Sequence, residues 1–407
     1  MVVNKTILCI GTLDTKGPEF QYLSHLIQER GCKVLVMDIS CSGHPFFTPD
    51  ISAIQVSEAA GYKIEEVRGF KEAGPAAEIM ALGARRVVKD LYEAGRFQGI
   101  ISMGGGMGNF LVSNAMKELP LGFPKLMLST QKIVQAGIKG YVGSKDIAIM
   151  PSVADIAGLN RFTKRSISNA AGAIVGMLVN TEPEVIEAPL MFMSMHGATT
   201  GCGLKVRSLV ENAGYEVVVF HAIGVGGDTL EEAISSYPVK GVVELALSEI
   251  GNHLFGGLAS SGPNRLEAAG KKGIPQVVAI GAFSFIQFLS PETVPHKYKK
   301  RQICYHNPQS TLVRLNKKEL SIFADTVAGK LNIANGPVKV LIPLYGSSSL
   351  EHQDSIYYDA ISDEKFINSL KKRLKKSIDV IEVDAHIDDG KFAKALADEF
   401  LDVTKDY

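Results

Sequence analysis

The sequence predicts an α/β protein of two Rossmann-like domains, each a mainly parallel sheet flanked by helices, facing a shared cleft. Three observations carry this. Short apolar or β-branched runs alternate with helix-length amphipathic segments throughout the 407 residues. Glycine-rich loops follow several of those runs, at Gly11–Gly17, Gly104–Gly108, Gly197–Gly203 and Gly224–Gly227. The plan starts again after Thr181-Glu182-Pro183, which divides the chain into residues 1–185 and 186–407.

In the first half, Thr6–Ile10 reads as a buried strand ending at Gly11-Thr12-Leu13-Asp14-Thr15-Lys16-Gly17. Pro18 opens a helix to about Arg30, since its missing N–H has no helical partner to lose. Lys33–Asp38 is the next strand, and Ser40–Ser57 reads as loop. A helix follows Pro75, and Gly99–Met103 is a strand with the four-glycine turn at its end. Pro124–Ser129 and Ile147–Met150 follow as strands. A helical pattern starts at Asp155 and ends near Asn180.

In the second half, strands are expected at Leu190–Met195, Glu216–His221, Gly241–Leu247, Gln276–Ile280, Val338–Pro343 and Val380–Asp384. Helices are expected to about Ala213 and over Thr229–Ser236, Leu320–Leu331, Phe366–Lys375 and Gly390–Phe400. Ser102-Met103-Gly104 and Ser194-Met195-His196-Gly197 begin alike, as two related domains would.

Bulk charge narrows the partners. Lys plus Arg and Asp plus Glu each count 43, so no global field draws nucleic acid or an anionic membrane. The basic clusters Lys297–Arg301 and Lys371–Lys376 are local and read as solvated faces. Cys9, Cys32, Cys41, Cys202 and Cys304 form no C-x-x-C pair, which points to a reducing compartment without structural zinc. The first residues lead into a strand rather than a signal peptide, and the apolar stretch near Ala170–Val179 is too short to span a bilayer. The chain is expected in the cytoplasm, with no nucleic-acid or membrane partner.

The turn Gly104-Gly105-Gly106-Met107-Gly108 followed by Asn109 leaves few Cβ atoms in the way of a ligand. Its amides and the helix N-terminus behind it suit a phosphate. It matches neither the P-loop nor the G-x-G-x-x-G fingerprint, so a tight connection that binds nothing is the plain alternative. Gly11–Gly17 adds weight, with Lys16 to meet a phosphate and Asp14 for a ribose hydroxyl or a magnesium-bound water. Arg161, Lys164 and Arg165 are further cations that can face the cleft.

In the second half, His196, His221 and His306 stand at or near strand ends and are the candidate acid–base residues. Cys202, at a helix start, is a conceivable nucleophile with His196 or His221 as its base. No pair has H-x3-H or H-E-x-x-H spacing, and no metal cluster is assigned.

A resemblance enters with the ordered series Gly11–Gly17, Gly104–Gly108, Tyr141–Ile147, Val153–Asn160, Phe220-His221-Ala222, Ser261–Leu266 and His306-Asn307-Pro308. In this order the motifs resemble the family of the ATP-binding N-terminal domain of the tomato mosaic virus resistance protein. The resemblance covers nearly the whole chain. It implies two Rossmann-like subdomains, ATP as cofactor, and a homodimer; magnesium is expected beside the ATP from the chemistry at Asp14.

Carried over by position, it makes Gly11, Thr12, Asp14, Thr15, Lys16, Gly104, Gly105, Gly106, Gly108 and Asn109 the nucleotide site. His196, His221, Gly226, Arg265, His306 and Asn307 become a second, less defined site. Glu244–Glu249, Gly281–Phe285 and Gly346–Ser349 depart from the family's pattern. The expected function is an ATP-dependent enzyme acting on a small metabolite. A non-catalytic nucleotide-binding module with a protein partner and a sugar-nucleotide enzyme are the alternatives.

Overall fold

The computed structural model describes residues 5–130, 138–179, 188–355 and 357–407. The chain divides into two compact units, Met1–Glu184 and Val185–Tyr407. The boundary expected near residue 185 falls outside the described residues.

The first unit is built on five strands: β1 Thr6–Gly11, β2 Lys33–Asp38, β3 Gly99–Gly104, β4 Lys125–Ser129 and β5 Ala148–Pro151. They pair in the order β2-β1-β3-β4-β5, all parallel. Every residue of β3 and β4 is buried, as a strand covered on both faces requires. The two-residue alternation of β1 splits its side chains between two cores. Leu8 and Ile10 pack with Met80 and Val112, while Ile7 and Cys9 pack with Phe20 and Ile174.

The second unit carries β6 Leu190–Met195, β7 Glu216–His221, β8 Val239–Glu244 and β9 Gln276–Ala279. A small insertion follows, with β10 Phe285–Phe288, β11 Ile303–Asn307 and β12 Ser310–Arg314. The large sheet is then completed by β13 Val338–Pro343 and β14 Asp379–Val383. Its order is β14-β13-β9-β8-β6-β7, all parallel. Counted from its own first strand, this is the winding of the first unit with a sixth strand added. In both units the order reverses beside the first strand, at β1/β3 and β6/β8, where open α/β sheets leave a crevice at their carboxyl ends.

Several expectations are corrected. The helix expected from Asp155 starts at Arg161. Gly158 sits at φ +83°, and Asn160 Oδ1 accepts the N–H groups of Phe162 and Thr163, so the helix is capped there. The 40–57 stretch, read as loop, ends in a helix at Ala53–Ala60, opened by a Ser52–Gln55 capping box. The insertion β10-β12-β11 is antiparallel and was not expected. Part of His306-Asn307-Pro308, read as loop, completes β11. The Ser-Met likeness joins β3 to β6, which hold different places in their sheets, so it marks no internal repeat. Among the described residues, no helix is long and apolar enough to cross a membrane.

Candidate functional site

A cavity of about 320 Å³ opens at the β1/β3 crevice of the first unit. The turn after β1 supplies Thr12, Asp14, Thr15 and Lys16, and the turn after β3 supplies Gly104, Gly105, Gly106 and Gly108. Two strand-end loops from opposite sides of the reversal point thus meet in one pocket. Cys41, Ser42 and Met107 also line it.

Two of the glycines here, Gly105 and Gly108, are not explained by the fold. None of Gly104, Gly105, Gly106 and Gly108 has a positive φ. A Cβ built on Gly105 meets only Thr130 Oγ1, at 3.8 Å, and one on Gly108 meets nothing within 4 Å. Neither backbone conformation nor internal packing therefore demands glycine at those two positions. Side chains there would instead stand in the open space that they border. The helix Gly106–Met116 starts in this turn, with its first N–H groups outside any helical bond.

The turn after β1 is held from below. Asp14 Oδ2 accepts the Gly43 N–H at 3.0 Å, and the Asp14 N–H donates to Ser40 Oγ. Asp14 Oδ1 is buried without a hydrogen-bond partner. Lys16 breaks the helix Leu13–Glu29 with φ −128° and ψ 17°, which separates the Leu13–Thr15 turn from the helix proper. Burial, then Asp14 and Asp38, push the Cys41 thiol up to about 11, so it is protonated at neutral pH.

Two expected members of the site have other neighbours in the fold. Gly11 is not among the residues lining the pocket, and a Cβ on it would lie 2.1 Å from the Phe20 ring, so packing against Phe20 accounts for this glycine. Asn109 is fully buried and donates from Nδ2 to Ser129 Oγ at 2.7 Å, tying the helix to β4 beneath the pocket. Neither position is part of the pocket lining. Arg161, Lys164 and Arg165 lie exposed on their helix, with Lys164 5.9 Å above the Tyr22 ring.

The second unit gathers its histidines. His196 after β6, His221 at the end of β7, and His306 and Asn307 of β11 line one cavity of about 300 Å³. His196 Nδ1 accepts the Ala198 N–H at 3.1 Å, which fixes the ring as an N-cap. His221 Nδ1 lies 3.1 Å from the Met195 carbonyl. The two rings are near-parallel, with centroids 6.2 Å apart. Burial, reinforced by His221 and His306, lowers the His196 pKa to about 4.

Other expected members of this site lie elsewhere. Arg265 is buried and spans Glu244, Glu249 and Glu231. Glu244 and Glu249, which depart from the family's pattern, thus serve as its partners. A Cβ on Gly226 would lie 1.8 Å from the His221 carbonyl, so this glycine permits a close backbone approach. Cys202 is fully buried and pushed up to about 12, chiefly by burial, which removes it as a nucleophile.

Family comparison accords with this two-unit plan. Residues 5–183 match the N-terminal domain, and residues 188–404 the C-terminal domain, of the uncharacterised protein family UPF0261. The chain belongs to the UPF0261 family. A UPF0261 protein of Clostridium tetani is 38% identical over 403 residues, covering 98% of this chain and 99% of that one. One from Rhizobium meliloti is 32% identical over 403 residues, covering 98% and 99%. The ToMV resistance protein Tm-1(GCR237) of Solanum lycopersicum is 30% identical over 426 residues, covering 98% of this chain and 56% of Tm-1. A Streptomyces glycosyltransferase, SsfS6, solved with thymidine diphosphate, aligns at 15% identity over 67% of this chain and 81% of that one. Its TM-score is 0.19.

The UPF0261 chain also holds a grouping that spacing does not signal. His352, His386 and Asp388 bring ligand-type atoms within 4.8 Å of one another, from loops after β13 and β14. The imidazoles are stacked, with centroids 4.3 Å apart and 22° between planes. A metal needs an in-plane lone pair from each ring, and near-parallel rings cannot aim both at one point. His386 Nδ1 already accepts the Asp388 N–H. The group is a stacked histidine pair beside a carboxylate, and no metal is assigned to it.

Proposed function

We propose that the first unit binds a nucleoside triphosphate, ATP foremost, with its phosphates on the Gly104–Gly108 turn. The observation that carries this reading is the pair of glycines, Gly105 and Gly108, that neither φ nor packing requires and that border an open crevice. Backbone amides and the helix N-terminus supply the anion site. Lys16 adds a cation, and the unpartnered Asp14 Oδ1 suits a magnesium-bound water or a ribose hydroxyl. ATP, rather than another nucleotide, comes from the family resemblance.

The wider reading is an ATP-dependent enzyme acting on a small metabolite, with its acid–base residues in the second unit's histidine pocket. The five free cysteines suit a cytoplasmic setting. A homodimer is part of the same reading. Val153, Leu159 and Phe162 are exposed near the edge strand β5 and are the surface we assign to it.

Thermal shift against ATP, GTP, NAD and a UDP-sugar tests the nucleotide class. Stabilisation by ATP that is lost in Lys16→Ala is expected. Stabilisation by NAD alone would overturn the site assignment. Phosphate release in the presence of metabolite pools separates the enzyme from a binding module: tight ATP binding without turnover would favour the module.

A further inference from the structure

We infer that the histidine pocket of the second unit enolises a small, uncharged hydroxycarbonyl compound, with His221 Nε2 as the base and His196 Nε2–H as the donor to the carbonyl oxygen. The inference goes beyond nucleotide binding and does not rest on it.

The backbone fixes both tautomers. An amide N–H can only donate, so His196 Nδ1, which receives the Ala198 N–H, holds a lone pair. The proton of the neutral ring is then on Nε2. A carbonyl oxygen can only accept, so His221 Nδ1, 3.1 Å from the Met195 carbonyl, carries the proton. Its Nε2 is then the lone pair. Adjacent strand ends thus present a fixed donor and a fixed acceptor. Both rings line one cavity, near-parallel and with centroids 6.2 Å apart, so two neighbouring substrate atoms are placed against the ring edges rather than between the ring faces. The low pKa of His196 keeps it neutral at physiological pH, so it acts as a donor without first needing a proton.

The lining defines the substrate class. Among the described residues no Asp, Glu, Lys or Arg lines the cavity, so no side chain of fixed charge is there to pair with a charged ligand. Asn307, Ser310 and Gln287 offer amide and hydroxyl groups, while Ile223, Leu312 and Leu350 offer apolar surface. A volume of about 300 Å³ lies at the small end of ligand sites. A short polyhydroxylated ketone or aldehyde meets these conditions.

The step balances without a co-reactant. His221 Nε2 takes the proton from the carbon next to the carbonyl, and the C–H electron pair becomes the C=C bond. The carbonyl π pair moves to oxygen, and the enolate accepts the hydrogen bond from His196 Nε2–H. The proton returns from His221 to the same carbon. In D2O, deuterium returns instead.

The test is solvent exchange on dihydroxyacetone, hydroxyacetone and glyceraldehyde in D2O, followed by proton NMR with the full chain and no nucleotide. The wild-type protein should exchange the α-hydrogen of at least one above the buffer rate. His221→Ala should lose about 100-fold or more of that rate, the usual size of a general-base contribution. His221 is exposed, so this variant is expected to fold, and its melting curve checks that. Histidine 15N shifts should show His196 protonated on Nε2 and His221 on Nδ1. Exchange at the buffer rate with all three compounds, exchange unchanged in His221→Ala, or the opposite tautomers would overturn the proposal. Since no nucleotide is present, failure here leaves the ATP reading standing.

Discussion

Arg265 Nε donates to Glu249 Oε2 at 2.7 Å, and the other oxygen of that carboxylate accepts the N–H groups of Gly224 and Gly227. The turn following β7 is therefore pinned to a buried charge network, and His221 leads into it. Removing Glu249 takes one carboxylate from Arg265 and leaves two buried amides without acceptors. Breaking a buried pair costs about 3–5 kcal/mol, and Glu244 and Glu231 still hold Arg265, so the loss in Glu249→Ala should fall near the lower end. Urea unfolding measures it. A loss below about 1 kcal/mol would show that the network does not hold the turn.

Glycines of the two units should respond oppositely to substitution. Gly108 is helical, with open space where a Cβ would go, so Gly108→Ala should raise stability by about 0.5–1 kcal/mol while weakening nucleotide binding. Gly226→Ala drives a Cβ against the His221 carbonyl and should destabilise the chain by more than about 1 kcal/mol. Melting curves and ATP titrations of both variants provide the comparison. A Gly108→Ala variant that is less stable, or that binds ATP normally, would count against the phosphate cradle.

His196 carries a stability consequence in acid. Its folded pKa of about 4 lies below the ordinary imidazole value, so the unfolded chain binds the proton more readily. The contribution is full above about pH 6.5 and is lost as pH falls towards 4. Wild type should therefore lose stability over that window more steeply than His196→Gln, as denaturant midpoints at several pH values would reveal. Equal slopes would contradict the burial argument.

Phe162 tests the assigned dimer surface. It is 59% exposed at the start of the helix Arg161–Val179. Phe162→Glu should convert a dimer to monomer in light scattering, with little change in monomer stability. A wild-type chain that is monomeric at high concentration would dismiss that surface.

The parallel sheets were legible because strands buried on both faces read as apolar runs, and β1, β3 and β4 do so. The loops at their carboxyl ends followed from glycine content alone. The insertion was not legible: β10 is only four residues, and β11 ends in exposed polar residues that look like a turn. Asp155–Asn160 kept a helical apolar spacing, which Gly158 at φ +83° and the Asn160 cap override. In the candidate site, Thr12, Asp14, Thr15 and Lys16 were readable as a strand-end loop. Cys41 and Ser42 were not, because long-range contacts such as Gly43 N–H to Asp14 place them. Asn109 and Arg265 look like ligand residues in sequence, and only burial reveals their structural partners.

The most direct test of the central claim is a crystal structure of the full chain with ATP and magnesium. Phosphate oxygens should lie about 2.7–3.2 Å from amides of residues 105–108, with Lys16 Nζ beside them. A nucleotide bound away from this turn, or a turn without phosphate at saturating ATP, would contradict it.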